Sequence, residues 1–164
     1  MRHIWNILVN VLLCAGAFPA SGPVQPFSVT LDAPSAAVKI GSEVRIKATI
    51  TNTSDHEIRF ARSLGLRDEE FECEIEVRDA RGRIPPLTPA FRNQKENPTS
   101  RWGSYMTYVL EPGKSFQDDL IISHVYTLEA GEYTIWVTRG TRPLWQNPKQ
   151  ETAKSNTIKL TVTN

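Results

Sequence analysis

Cysteine is almost absent from this chain of 164 residues, which contains Cys14 and Cys73 and no other cysteine. Cys14 lies in an N-terminal segment that we expect to be removed, so Cys73 would be alone in the mature protein. A single cysteine cannot form an intramolecular disulfide or a zinc site of paired cysteines. The hydrophobic core must therefore supply the stability of the folded protein.

An excess of charge of either sign is also missing. The chain has 19 Lys and Arg residues against 18 Asp and Glu residues, which gives a formal net charge of +1. Proteins that bind nucleic acid usually carry a strongly basic patch or domain. The balance predicts that nucleic acid is not a partner and that the chain has no acidic or basic interaction tail.

The N-terminus reads MRHIWNILVNVLLCAGAFPASG. A basic start, an apolar run from Ile4 to Leu13 and a small-residue segment after it are typical of a secretory signal peptide. We therefore predict a signal peptide at residues 1–17, cleaved between residues 17 and 22, and a single domain at residues 24–164. The protein would be secreted or periplasmic.

Two alternatives for this N-terminal segment remain open. An uncleaved anchor would need about 20 apolar residues to cross the bilayer, and the run is shorter than that. We accordingly expect no membrane span after cleavage. Lipidation of Cys14 is the second alternative, but lipidation signals place a small residue before the cysteine, and Leu13 stands there.

From about residue 27 onward, apolar and polar residues alternate, and no amphipathic helix of ordinary length is apparent. The alternation is clearest in four segments: EVRIKATI (43–50), FECEIEV (71–77), YTIWV (133–137) and TIKLTV (157–162). Strict alternation is typical of strands with one buried and one wet face, as in antiparallel sheets. The chain is therefore predicted to be all-β.

Turn-forming residues set the strand limits. The segment TNTSDHE (51–57) contains Asn52-Thr53-Ser54, which fits a glycosylation sequon but which we interpret as a plain turn. RDARGRIPP (78–86) predicts a hairpin, and LEPGKS (110–115) predicts a β-turn. Two long polar segments, 86–104 and 140–155, are predicted loops, which are usually functional or disordered. Strands are expected near 27–31, 37–40, 43–52, 57–62, 71–79, 83–86, 105–110, 116–122, 132–139 and 156–163.

A tyrosine follows the last predicted bend, in LEAGEYTIWV. Gly131 allows the chain to turn, and Tyr133 has the inward phase of its strand. A tyrosine at this position can bury its ring and return its hydroxyl to the preceding backbone, which is the tyrosine corner of Greek-key sandwiches. The alternative is an ordinary aromatic core residue, and both roles are structural.

Three stretches then resemble a known class of domain: VRIKATITNTSDHEIRF (44–60), LEPGKSFQDDLIISHVYTLEAGEYTIWV (110–137) and KSNTIKLTV (154–162). They are similar to immunoglobulin-like β-sandwich domains of exported bacterial proteins, and loosely to BsuPI-type proteinase-inhibitor domains. They also resemble the β-domain that precedes the catalytic part of some deuterolysin-like metalloproteases. The resemblance implies an immunoglobulin-like antiparallel Greek-key sandwich of about seven to nine strands. No catalytic residue carries over, and the segment 86–104 has no counterpart.

Patterns for metal binding are missing. His3 leaves with the signal peptide, and His56 and His124 occur without HExxH, HxxxH or paired-cysteine spacing. Asp118 and Asp119 precede His124, but neighbouring strand residues point to opposite faces of a sheet. We predict no metal site and no cofactor.

Patterns for catalysis are missing as well. No GxSxG turn occurs, and Cys73 shares the inward phase of Phe71 and Ile75, which predicts an inert core thiol. The glutamates of FECEIEV form an acidic row, which we expect to form cross-strand ion pairs with the outward Arg45, Lys47 and Arg59 of other strands. A glycosidase pair of carboxylates or a calcium site is less compatible with this pattern. The protein is predicted not to be an enzyme and to have no catalytic residues.

Tryptophan gives the strongest indication of a binding surface. Trp136 has the outward phase of its strand, while Trp102 and Trp145 stand in the two predicted loops. Exposed aromatic side chains can anchor a protein partner or stack on sugars. We expect a composite surface of Trp102, Trp136 and Trp145, and the alternative is that the loops fold over Trp136.

These observations favour a secreted, non-enzymatic protein-interaction or accessory module with a protein partner of unknown identity. One alternative is a proteinase inhibitor of the BsuPI type that presents a rigid loop from residues 86–104 or 140–155 to a protease. Another is a carbohydrate-binding module that holds a glycan with Trp136 and Trp145.

Overall fold

The alternation of residues along the sequence becomes an alternation of buried and exposed side chains in the computed structural model. This structure describes residues 25–34, 37–63, 73–97, 105–141 and 151–164, so the predicted signal peptide lies outside the described residues. The elements are β1 (Phe27–Asp32), β2 (Val38–Lys39), β3 (Arg45–Asn52), β4 (Ile58–Ser63), β5 (Cys73–Asp79), α1 (Pro89–Glu96), β6 (Tyr105–Leu110), β7 (Ser115–Ile121), α2 (Ile122–Val125), β8 (Gly131–Gly140), β9 (Thr152–Lys154) and β10 (Ile158–Thr163).

The strands form two larger sheets and one pair. The first sheet has the order β1-β3-β7, the second has the order β2-β10-β8-β5 with β9 also on β8, and β4 pairs with β6. All pairs are antiparallel except β2 with β10. Strands β3 and β7 are neighbours in space although strands of both other sheets lie between them in the chain. This crossing pattern confirms the predicted all-β, immunoglobulin-like sandwich.

The core lies between the two larger sheets. Ile46 and Ile50 of β3 face Ile135 and Val137 of β8 within one cluster of buried side chains. Fully burying an aliphatic side chain of this kind contributes roughly 1.5–3 kcal/mol. The four side chains follow the period of two that the sequence shows, so the alternation alone locates the central core strands.

The predicted loop 86–104 is wrong over part of its length, because α1 forms within it. The Thr88 side chain caps the helix by accepting a hydrogen bond from the backbone N–H of Phe91, and Pro89 occupies the first turn, where its missing N–H costs nothing. Phe91 is the one buried residue of this helix. A single apolar anchor produces no helical periodicity, which explains why the pattern missed it.

One strand prediction and one further loop prediction also need correction. Residues 83–86 do not form a strand; Pro85 and Pro86 have no backbone N–H to donate, and the chain instead reaches a single bridge between Leu87 and Tyr126. The predicted loop 140–155 contains β9, which pairs with the end of β8. The side chain of Ser155 accepts a hydrogen bond from the backbone N–H of Val137 just beyond β9.

Tyr133 closes the bend before β8. Its hydroxyl accepts a hydrogen bond from the backbone N–H of Glu129 at 3.0 Å and donates one to the carbonyl of Glu129 at 2.9 Å. Its ring is buried in the core, and Gly131 has a positive φ of 157°. This is the geometry that a tyrosine corner requires.

Asn52 organises the turn after β3. It is 1% exposed, and its amide nitrogen donates to the carbonyls of His56 and Leu110, both at 2.7 Å. Its amide oxygen accepts from the backbone N–H and from the hydroxyl of Ser54. In the folded chain this buried amide is fully engaged, which favours the turn interpretation of the sequon over glycosylation.

Removal of the Tyr133 hydroxyl should loosen the corner without emptying the core. We expect Tyr133→Phe to lower the free energy of unfolding by about 1–2 kcal/mol, because two hydrogen bonds to one backbone residue are lost. Urea denaturation measures this change. Tyr108→Phe is the matched control, since no hydrogen bond involves the Tyr108 hydroxyl among the described residues, and equal losses in the two variants would contradict the assigned role.

Asn52→Ala should be more damaging. Two carbonyls and the Ser54 N–H lose a buried partner, so we expect a loss of about 2–4 kcal/mol in the free energy of unfolding. Ser54→Ala removes the same sequon but keeps the Asn52 amide, and should cost about 1 kcal/mol or less. If the two variants were equally destabilised, the bonds to His56 and Leu110 would not be the stabilising contacts.

Candidate functional site

Trp136 lies at the centre of the second sheet, on its outer face. Strand β8 is flanked by β5 on one side and by β9 and β10 on the other. Tyr133, Ile135 and Val137 are buried, while Trp136 is half-buried on the opposite face. The outward position follows from the inward register of its neighbours, because adjacent strand residues point to opposite faces.

A lysine partly covers the indole ring. The Nζ atom of Lys154 lies 4.7 Å from the centroid of the Trp136 ring, within the range of a cation–π contact. Lys154 belongs to β9, where its Cα partner is Thr138 on β8. Part of the segment predicted as the loop 140–155 therefore forms the strand that brings this lysine to the tryptophan.

The side chains around Trp136 form a polar surface, which we call the outer face. It consists of the outward residues of four strands: Glu74, Glu76, Arg78, Glu132, Thr134, Trp136, Thr138, Lys154, Lys159 and Thr161. Glu76 is the Cα partner of Trp136 and is ion-paired with Arg78 at 3.0 Å. Thr134 and Thr138 lie two residues to either side of the tryptophan. A large aromatic side chain is thus surrounded by hydroxyls and charges of both signs.

The other members of the expected tryptophan surface cannot be placed beside it. Trp102 and Trp145 lie outside the described residues, so the composite surface with Trp136 stays a prediction. Tyr108, which adjoins the Trp102 segment in sequence, stacks on Phe116 with ring centroids 5.6 Å apart and an interplanar angle of 3°. That stack belongs to the β6 and β7 side of the molecule.

Of the acidic row, the structure describes Glu74 and Glu76, and neither forms an ion pair with Arg45, Lys47 or Arg59, which were expected to neutralise it. Arg45 lies on β3 in the other sheet and bonds to Glu43 and Asp119 at 2.6 and 3.0 Å. Arg59 pairs with Glu57, two residues before it in the chain. The strand order separates these cations from β5, where Glu76 instead pairs with Arg78 of the same strand.

A charged core residue escaped the sequence analysis. Arg139 is 2% exposed, and its guanidinium lies 5.5 Å from the centroid of the Phe60 ring and 3.5 Å from Cys73 Sγ. It continues the inward phase of Ile135 and Val137, so the alternation did contain the signal. Cys73 is buried beside it, as its inward phase predicts.

The candidate metal ligands are dispersed in the structure. His56 contacts Asp55 at 2.9 Å, and this contact is the largest cause that lowers the pKa of Asp55. Asp119 faces Arg45 on the other sheet, while His124 is exposed on α2. Among the residues that the structure describes, no three His, Cys, Asp or Glu side chains come together in a way that could hold a metal ion.

A groove that sequence reasoning did not anticipate lies at one end of the sandwich. It has a volume of about 490 Å³ and joins residues 39–44 to residues 123–129. Its wall includes the half-exposed Ile40, with charges of both signs on Lys39, Glu43 and Glu129. The two segments are far apart in the chain, so no local pattern indicates that they meet.

Comparison with known proteins finds no matching family model and no matching curated protein. The chain is similar to the C-terminal domain of Wzt with a TM-score of 0.47 and 9% identity, over 86% of this chain and 75% of that one. It is similar to alpha-2-macroglobulin from Escherichia coli with a TM-score of 0.40 and 16% identity, over 85% of this chain and 17% of that one. For the bacterial hydrophobin BslA the TM-score is 0.37 and the identity 16%, over 87% and 99% of the two chains. At these values the similarity assigns neither a family nor a function.

Neither of the two helices in the described residues is long and apolar enough to cross a membrane. The predicted export of the chain and its resemblance to BsuPI-type inhibitor domains stay predictions.

Lys154→Ala should expose the indole of Trp136. We expect greater quenching of Trp136 fluorescence by acrylamide, with a loss of stability of about 0.5–1 kcal/mol from the missing cation–π contact. Because the chain has 4 tryptophans, the fluorescence of Trp136 is obtained by subtracting the signal of a Trp136→Phe variant from that of the corresponding protein that keeps Trp136. Lys47→Ala, on the outer surface of the other sheet, is the control. Unchanged quenching in Lys154→Ala would contradict the contact.

Proposed function

We propose that the protein is a non-enzymatic binding module that contacts a partner protein through the outer face, with Trp136 as the central anchor. The observation that carries the proposal is the position of Trp136: a half-buried tryptophan in the middle of a regular sheet, surrounded by polar side chains. Tryptophan and arginine are the residues most enriched where binding energy concentrates in protein interfaces, and both occur on this face.

The shape of the outer face supports a protein partner. A surface of several adjacent strands offers a broad contact area, whereas small-molecule sites are concave. The anchor is held by strands on both sides, so little conformational entropy would be lost when a partner covers it. The ion pair of Glu76 with Arg78 and the hydroxyls of Thr134 and Thr138 would form the polar rim that surrounds such anchors.

Carbohydrate binding is the second candidate. Thr134 and Thr138 place hydroxyls on both sides of the indole, and Glu76 and Lys154 place charged groups across from it. This is an arrangement in which a sugar ring could stack on the aromatic face and exchange hydrogen bonds at its edge. A sugar would have to displace the Lys154 ammonium, which now occupies the space above the ring.

A protease inhibitor of the BsuPI type is the third candidate, and it rests on the sequence resemblance alone. The segments that would present a rigid loop are 86–104 and 140–155. Within them α1 and β9 shorten the stretches without regular structure. Residues 98–104 and 142–150 of these segments lie outside the described residues.

Site-specific photo-crosslinking tests the leading proposal. A benzophenone side chain at Thr138, next to Trp136, should form a covalent adduct with a defined protein in the cells that produce the chain. Trp136→Ala should reduce the adduct by about tenfold or more, since loss of an anchor typically costs 2 kcal/mol or more. A probe at Lys47 on the other sheet is the matched control and should not form the adduct.

Three outcomes would separate the candidates. An adduct that forms equally from both probe positions, or that survives Trp136→Ala, would overturn the outer face as the contact surface. Glycan binding by the purified protein that is lost in a correctly folded Trp136→Ala variant would favour the carbohydrate module. Inhibition of a protease that is lost when either long segment is cut would favour the inhibitor.

A further inference from the structure

The outer face carries unequal charge on the two sides of β8: on β5 the cation Arg78 is ion-paired with Glu76, which leaves Glu74, whereas the described outward residues of β9 and β10 include no acid. Its acids on β5 are Glu74 and Glu76, while the exposed cations Lys154 and Lys159 stand on β9 and β10, on the other side of β8. From this arrangement, and resting on the proposed function, we infer that the partner presents an acidic polypeptide segment to the side of Trp136 that carries Lys154 and Lys159.

Register fixes where the two lysines stand relative to Trp136. Lys154 is the Cα partner of Thr138, and Lys159 is the Cα partner of Thr134. The two threonines are four positions apart on β8, so the lysines are about 13 Å apart along the strand direction, with Trp136 halfway between them. An extended segment that runs beside β8 would pass both ammonium groups and the indole in turn.

Neither lysine has an anionic partner among the described residues. Arg45 and Arg59 form ion pairs in the described part of the chain, whereas Lys154 and Lys159 do not. Glu76 is engaged with Arg78, and its strand lies on the far side of β8 from β9. The cationic side of the face therefore keeps its charge available to a ligand.

The acids that remain on the outer face do not cancel this charge. Glu74 stands across β8 from Lys154, two strands away, or about 10 Å at ordinary strand spacing. Glu132 lies at the start of β8, opposite Thr161 and beyond Lys159. Glu74 lies beyond the Debye length of about 8 Å at physiological salt and is largely screened from Lys154. Glu132 is a diagonal neighbour of Lys159 across the strand pair, at about 7–8 Å, and offsets part of the charge of Lys159 while leaving that of Lys154. A partner meets a local cationic edge although the whole face is close to neutral.

The cation–π contact gives Lys154 a second role. In the unbound protein its ammonium covers the indole ring at 4.7 Å. An acidic segment would draw the ammonium toward its carboxylates, and the ring face that is released could then contact apolar parts of the same segment. Because an exposed cation–π contact is weak, roughly 0.5–1 kcal/mol, the displacement costs little.

Poly-L-glutamate is the probe that tests the inference, with the mature protein in low salt and with binding followed by Trp136 fluorescence. We expect a titratable change that Trp136→Phe abolishes and that weakens as salt rises. The double variant Lys154→Glu with Lys159→Glu should bind on the order of tenfold more weakly, because two exposed attractions become repulsions. Lys47→Glu, on the other sheet, changes the net charge in the same direction and should bind within about twofold of the parent.

Three results of this titration would overturn the inferred acidic polypeptide partner. Equal weakening in Lys47→Glu would mean that net charge alone governs binding, and no binding of poly-L-glutamate by the parent protein would overturn the inference outright. Binding of polygalacturonate in place of poly-L-glutamate would assign the cationic edge to an acidic glycan and would also overturn it. If crosslinking at Thr138 still identifies a protein partner while both lysines prove dispensable, the inference fails and the proposed function stands.

Discussion

The register of strand β8 is the constraint on which the rest of the structure depends. Tyr133, Ile135 and Val137 fill the space between the sheets, and the backbone pairs with β5 on one edge and with β9 and β10 on the other. A slip of one residue would bury Trp136 and expose those three core side chains, at a cost of several kcal/mol for the lost burial alone. One hydrophobic pattern therefore sets both the core and the composition of the outer face.

Polar side chains hold this register at the places where strand pairing ends. The Tyr133 hydroxyl fixes the entry to β8, and Asn52 joins three segments at the end of β3. Asn156, between β9 and β10, accepts a hydrogen bond from the backbone N–H of Leu31 at 2.7 Å and donates one to the Leu31 carbonyl at 3.0 Å, which connects this segment to β1. The contacts of Asn52 with Leu110 and of Asn156 with Leu31 thus join segments that are far apart in the chain.

Sequence reasoning recovers the elements whose information is local. Alternation in FECEIEV and YTIWV locates β5 and β8, and the glycine before Tyr133 locates the bend. Sequence reasoning fails for α1, because one capping threonine and one buried Phe91 create no helical period. It also fails for residues 83–86, where two prolines prevent regular strand pairing. Arg139 shows a further limit: its phase is inward, but its contacts with Phe60 and Cys73 come from strands that no local pattern brings to it.

The candidate site depends on information that no local pattern contains. Trp136 is recognisable from its outward phase. Lys154 comes close to it because β9, which follows β8 after residues 142–150, pairs with β8. Glu76 comes close to it because β5 pairs with the other edge of β8. The acidic row lies near the middle of the sequence and the lysines near its end. Pairing both strands with β8 sets these groups on opposite sides of one indole. The face thereby acquires a direction, acidic on one edge and basic on the other, although the chain as a whole is nearly neutral. For the partner proposed above, this polarity would favour one orientation across β8 over the reverse, so the strand order that buries the core would also supply orientational specificity.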